Sequence, residues 1–246
     1  MRRLLTDALR TLVPSGEERH GPLPPLMLAL TVVTGLVDAV SYLGLGHVFV
    51  ANMTGNVVFL GFALAGSTSL SVLASVVSLG AFLLGALSGG RLGGRHAAHR
   101  GHLLRTATAL QTVLVAVATL VAGVADGRVT TGFQYTLIVL LGLAMGLQNA
   151  VARRLGVPDL TTTVLTLTLT GLAADSVPAG GEGPRPGRRL LSVLAMFLGA
   201  LVGAVLILHG HLTLTLALAL SLLAATSATV HRLSATNPGW VRPGPN

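Results

Sequence analysis

The sequence predicts an all-α polytopic membrane protein with six transmembrane helices in two inverted three-helix repeats, each repeat carrying a broken or re-entrant segment. Three observations lead there: a composition too apolar for a soluble domain, an arginine distribution that favours one topology, and a self-similarity between the two halves. Of 246 residues, 52% are hydrophobic and 10% charged, and the mean hydropathy is +0.77. Soluble domains carry about 25% charged residues. At about 20 residues per spanning helix the chain holds at most roughly eight or nine spans, enough for one compact bundle. It contains no cysteine, which excludes disulfides, thiolate metal sites and cysteine nucleophiles.

Residues 1–25 are polar and carry Arg2, Arg3, Arg10 and Arg19, while Leu4, Leu5, Leu12 and Val13 make them partly amphipathic. This stretch reads as a cytoplasmic lead-in. No small-x-small cleavage site follows the first apolar run, so that run is expected to remain as a membrane anchor. Eight apolar runs follow, over 26–43, 48–64, 70–89, 106–124, 133–152, 160–174, 190–208 and 212–230, with the charges almost entirely between them. The expected organisation is a first membrane repeat over 26–125, a second over 126–232 and a cytoplasmic tail over 233–246.

The basic residues are 16 arginines with no lysine, against 8 acidic residues, for a net charge of +8. Their placement points to a bilayer and away from nucleic acid. Short arginine-rich loops stay in the cytoplasm. If all eight runs cross, ten arginines lie inside and six outside; if the second and sixth runs enter and leave on one face, only Arg128 lies outside and 15 lie inside. Six crossings in the plasma (inner) membrane, with both termini cytoplasmic, explain the pattern.

The second and sixth runs also differ in composition. The second holds Ala51-Asn52-Met53-Thr54-Gly55-Asn56, and the sixth holds Asp159-Leu160-Thr161-Thr162-Thr163 followed by Leu165-Thr166-Leu167-Thr168-Leu169-Thr170. Asn, Thr and Gly let a chain leave helical geometry. At membrane depth that is tolerated only under cover of protein or beside a water-filled cavity. The alternative for the sixth run is an ordinary spanning helix whose threonine hydroxyls bond back to their own turn.

Comparing the chain with itself aligns Gly35-Leu36-Val37-Asp38-Ala39-Val40 with Gly146-Leu147-Gln148-Asn149-Ala150-Val151 at an offset of 111. Leu84-Gly85-Ala86-Leu87-Ser88-Gly89 aligns with Leu198-Gly199-Ala200-Leu201-Val202-Gly203 at 114, and Met53-Thr54-Gly55-Asn56 falls near Leu165-Thr166-Leu167-Thr168 at 112. Three matches in order at near-constant offsets indicate duplication. Three spans per repeat is an odd number, so the second half runs through the membrane in the opposite sense. Inverted repeats bring their discontinuous segments together near the midplane, where a substrate site is expected.

The motif Gly35–Val40, the stretch Phe49-Val50-Ala51-Asn52-Met53-Thr54-Gly55-Asn56-Val57-Val58, and Gly146-Leu147-Gln148-Asn149-Ala150 followed by Arg153-Arg154 resemble the YoaK family of bacterial membrane proteins, a family of unknown function. The resemblance covers roughly residues 26–232 and implies six membrane helices, without supplying an activity. That family often repeats Met-Thr-Gly-Asn in its second half, where this chain has Leu165-Thr166-Leu167-Thr168. A symmetric two-motif site is therefore not implied.

Asp38 is the one acidic residue well inside an apolar run. An ionisable group at such depth costs about 2.5–3.5 kcal/mol on insertion scales and is a functional candidate by default. Its counterpart in the second half is Asn149, with Gln148 beside it. A carboxyl facing an amide across a pseudo-symmetry axis suits a proton- or cation-coupled site; the plain alternative is a protonated Asp38 that bonds to the partner repeat. Asn52, Thr54 and Asn56 alternate around Gly55, which would let the backbone turn and approach a ligand. With Thr162 and Thr166 from the sixth run they complete the candidate substrate- or ion-binding set.

Three small-x-x-x-small pairs, Gly85/Gly89, Gly142/Gly146 and Gly199/Gly203, allow close helix packing. Their expected use is within the bundle, with a homodimer as the alternative. His96, His99 and His102 lie in a basic loop read as solvated and facing anionic lipid, not as a metal site. His47 is either a proton-relay partner of Asp38 or an interfacial histidine. No phosphate-loop, zinc-protease or Ser-x-x-Lys pattern occurs, and Asp175 lies too near a segment edge to form an aspartic dyad with Asp38. The expected protein is no enzyme and uses no cofactor or metal. It reads as a small secondary transporter or permease for an unidentified small molecule or ion, the alternative being a non-transporting scaffold or accessory subunit.

Overall fold

The computed structural model describes residues 2–14, 20–125, 130–160, 162–163, 165–176, 179–181, 183, 185–235 and 239–241. Arg19, Arg128, Thr161 and Arg242 therefore lie outside the described residues. Everything regular among the described residues is helical: α1 (Arg2–Leu12), α2 (Leu23–Ala39), α3 (Met53–Leu64), α4 (Val72–Arg95), α5 (Arg100–Val124), α6 (Thr131–Leu155), α7 (Leu165–Ala174), α8 (Pro186–Leu208) and α9 (Leu212–Ser234), with a final 3-10 turn at Gly239–Val241. Six are long and apolar enough to cross a membrane: α2 with its extension to Gly44, and α4, α5, α6, α8 and α9. The second and sixth apolar runs are the ones that do not qualify, giving helices of 12 and 10 residues.

Local chemistry explains the boundaries. Pro24 and Pro25 open α2, where a missing N–H costs nothing. Past Asp38 the helix widens into a π turn over Val40–Gly44. Asn52 caps α3 by accepting the Gly55 N–H, Ser71 caps α4 through Ala74, and Gly156 ends α6 in the left-handed conformation at φ 59°. His99, from the basic loop, caps α5 by accepting the His102 N–H, and the two rings stack at 3.7 Å.

The helices pair across the two halves of the chain. α4 packs along α6, α2 along α8 and α5 along α9, while α5 also meets α6 and α9 also meets α2. The glycine pairs make this possible within the bundle. A Cβ at Gly146 would lie 2.8 Å from the Ala86 nitrogen, and one at Gly35 2.6 Å from the Ala200 nitrogen. A Cβ at Gly89 would meet the Ala150 Cβ at 2.8 Å, and one at Gly203 the Ala39 Cβ at the same distance. Gly85 abuts the Leu143 carbonyl and Gly199 the Val32 carbonyl. Only hydrogen side chains admit such approaches.

The basic helix ends gather at one end of the bundle. Gly93 lies under the Arg154 stem, Gly101 against Ser234, and the Arg100 guanidinium reaches the Leu155 carbonyl. The lead-in joins the same end: Asp7 accepts the Arg188 N–H at 3.0 Å, and Gly21 sits beneath Trp240. At the opposite end Gln134 donates to the Leu45 carbonyl at 2.8 Å and Gly44 meets Leu212.

Candidate functional site

Both short helices are preceded by non-helical chain, over 45–52 before α3 and, among the described residues, over 156–163 before α7. Polar side chains of the adjacent spanning helices secure these tracts. Asp38, buried near the end of α2, accepts the Ala51 N–H at 3.0 Å. Asn56, fully buried, accepts the Phe49 N–H at 2.9 Å and donates to the Phe49 carbonyl at 2.6 Å and to Ser78 at 3.2 Å; Ser78 also donates to that carbonyl. These bonds fold the 45–52 tract back on α3 and pin it to α4. Stacking of Tyr42 on Phe49, and of Phe49 on Phe59, packs its other side.

Asn149, at an offset of 111 from Asp38, lies on α6. Its amide donates to the Met145 carbonyl at 2.9 Å, and its oxygen accepts from the Thr163 hydroxyl. Thr168 and Ser192, at sequence offsets of 112 and 114 from Asn56 and Ser78, are both buried. Thr162 adopts φ 65°, an uncommon value for a β-branched residue, and its buried hydroxyl has no hydrogen-bond partner among the described residues. Strain of this kind clusters at functional sites.

A pocket of about 560 Å³ is lined by the first turns of both α3 and α7, within the usual size range of small-molecule sites. Asn52, Thr54, Gly55, Asn149, Thr163 and Thr166 line it together with apolar Phe59, Phe82 and Met196, and none of its lining residues is charged. Of the sequence-predicted set the pocket gathers Asn52, Thr54, Gly55, Asn149 and Thr166. Asp38, Asn56, Gln148 and Thr162 do not line it. Asp38 acts on the wall at one remove, because Ala51, whose N–H it holds, is itself a lining residue.

Gln148 has a different partner set. It accepts from Gln111 at 2.6 Å and donates to Thr34 at 2.8 Å, tying α5, α6 and α2 into one buried bridge. Gly55 does not turn the backbone as expected. It lies in the first turn of α3, and a Cβ there would fall 2.8 Å from the Phe49 ring. Its smallness admits the aromatic stack. His47, at φ 58°, stands edge-on to Tyr42, their ring centroids 5.3 Å apart.

Sequence reasoning missed Ser78, Gln111 and Thr163. Each is a common polar residue in an apolar run, and only the position of its partner distinguishes it. Thr163 carried the strongest signal, since it lies 111 residues from Asn52.

Comparison with known proteins places this architecture. Residues 26–229 match the family described as "Protein of unknown function (DUF1275)". The chain is 34% identical over 150 residues to the UPF0700 transmembrane protein YoaK of Bacillus subtilis (strain 168); the match covers 61% of this chain and 65%, just under two thirds, of that relative. No solved structure matches. The chain belongs to the YoaK (DUF1275) family of membrane proteins.

Proposed function

We propose that the protein is a small secondary transporter or permease built from two inverted three-helix repeats, with α3 and α7 re-entrant and the substrate held in the pocket that their first turns line. The observation that carries this reading is the pocket that joins Asn52, Thr54 and Gly55 of one half to Asn149, Thr163 and Thr166 of the other. A scaffold has no need of a polar pocket between two interrupted segments.

The packing supports the inversion. Exchanging the two halves turns α2·α8 into α6·α4, α5·α6 into α9·α2, and α5·α9 into itself, so the set of helix contacts is preserved. The correspondence extends to single residues at the offsets of the sequence repeat. Gly85 on Leu143 becomes Gly199 on Val32, and Gly146 beside Ala86 becomes Gly35 beside Ala200. The arginine-rich end of the bundle is the cytoplasmic one in this reading, both termini lie inside, and the membrane is the plasma membrane.

The pocket suits a small uncharged or anionic solute. Helix N-termini present unpaired N–H groups and the positive end of the helix dipole, and both short helices direct theirs to this region. The apolar wall from Phe59, Phe82 and Met196 fits a hydrophobic body. Asp38 supplies the coupling element: it holds the Ala51 wall through a carboxylate, so its protonation or cation occupancy alters the pocket without touching the substrate. No catalytic role is assigned to any residue.

A screen of small carboxylates, amino acids and neutral metabolites for thermal stabilisation of the purified protein tests the site. A binder raises the melting temperature by mass action. Thr54→Val combined with Thr166→Val should abolish that rise while leaving the ligand-free melting temperature near wild type. A binder whose effect survives the double substitution places the site elsewhere, and a screen in which no solute binds removes the support for transport.

A further inference from the structure

A second cavity, of about 500 Å³, opens on the flank of the bundle between α4, α5 and α6. Its origin lies in the packing. α4 and α5 are consecutive and antiparallel, yet each leans on α6 and they touch one another little. A groove remains, floored by Leu143 and Leu147 of α6 and walled by Leu92 of α4 and by Leu110 and Val113 of α5. Val113 is 61% exposed, so the groove faces what surrounds the protein, which for a spanning helix is lipid.

Arg91 and Arg95 also line this cavity, at the arginine-rich end of α4. They are one helical turn apart and share a side of the helix. Both are exposed, and neither forms an ion pair or hydrogen bond with a described residue. Guanidinium groups bind phosphate in a bidentate fork. A groove that is apolar along its length and carries two unpaired guanidinium groups at its interfacial mouth matches a molecule with acyl chains at one end and a phosphate at the other.

The repeat offers an internal comparison. At the offset of 114 the residues standing for Arg91 and Arg95 are Val205 of α8 and His209, which follows its last residue. The charge is therefore not a by-product of the duplicated helix pair. Positive residues at a cytoplasmic helix end are expected for topology alone, but topology does not require them to share a cavity with exposed apolar side chains.

We propose that the α4–α5–α6 groove is a binding site for one anionic phospholipid, with its acyl chain along Leu110, Val113 and Leu147 and its phosphate on Arg91 and Arg95. This site is separate from the pocket between α3 and α7 and does not depend on transport.

The test uses the full-length protein purified in a neutral detergent and stripped of lipid. Phosphatidylglycerol or cardiolipin should raise its melting temperature by several degrees and remain as one bound lipid in native mass spectrometry, while phosphatidylcholine and soluble glycerol 3-phosphate should do neither. Arg91→Gln with Arg95→Gln should remove most of the rise and the retained lipid. The charge-matched pair Arg153→Gln with Arg232→Gln should keep both. Val113→Trp, which fills the groove without altering charge, should also reduce retention. The proposal is overturned if the Arg91/Arg95 variant keeps its lipid, if the control pair loses as much, or if glycerol 3-phosphate alone reproduces the shift.

Discussion

The carboxylate of Asp38 accepts the backbone N–H of Ala51 at 3.0 Å, with both residues buried. An acidic side chain on α2 thereby fixes the irregular chain that leads into α3. The energetic demand is for an acceptor at this point, which an amide oxygen also meets.

Asp38→Asn should consequently fold, as the Asn149 counterpart does, whereas Asp38→Ala strands a buried N–H and should lose about 1–3 kcal/mol. Thermal melts of the two purified variants check this. Equal stabilities would show that the bond does not hold the tract. In a transport assay Asp38→Asn should lose dependence on pH or on the coupling cation, and unchanged coupling would make Asp38 purely structural.

Gly146 has no room for a methyl group: its Cβ would lie 2.8 Å from the Ala86 nitrogen and closer still to the Phe82 carbonyl. Gly146→Ala should force α4 and α6 apart at a cost of about 1–3 kcal/mol or more. Gly90→Ala, on the exposed side of α4 with open space around it, should stay within about 0.5 kcal/mol of wild type. Comparable melting temperatures for the two variants would contradict close packing of α4 on α6.

Gly55 and Gly61 both lie in α3, but only Gly55 has an aromatic ring where a side chain would go. Gly55→Val should push Phe49 off Phe59 and lower both folding yield and ligand-induced stabilisation. Gly61→Val should cost no more than the usual helix-propensity difference of under about 1 kcal/mol. Equal, mild effects would show that the Phe49 stack does not shape the pocket.

Because the chain lacks cysteine, single cysteines report topology without background. Ala98→Cys, between α4 and α5, should be shielded from an impermeant maleimide in intact cells, and Thr131→Cys, at the start of α6, should react. The opposite pattern would invert the bundle, and reaction at both positions would refute six crossings.

Much of the fold was legible because membrane physics leaves few options. Six long apolar helices and two short ones follow from segment length and arginine placement, and the 111 and 114 offsets picked out glycines that do meet corresponding backbones. The site was legible in part. Asn52, Thr54 and Thr166 declared themselves as polar residues in interrupted runs, but polarity does not reveal where a side chain points. Asn56 and Gln148 looked like ligand contacts and instead satisfy buried backbone and amide groups. Gly55 shows the same limit, since its value lies in the ring of Phe49 rather than in its own torsion angles. Ser78 and Gln111 could not be separated from other polar residues until their partners were placed.

The pairing of α2 with α8 and of α4 with α6 has a consequence for biogenesis. As the ribosome releases the chain, the first three spans enter the bilayer before their glycine-lined partners have been made. Gly35 and Gly85 then face lipid until α8 and α6 are inserted, so close packing begins only after roughly half of the polypeptide is already in the membrane. Assembly is therefore late and long-range, and two half-length chains made separately hold between them every major contact that the continuous one does.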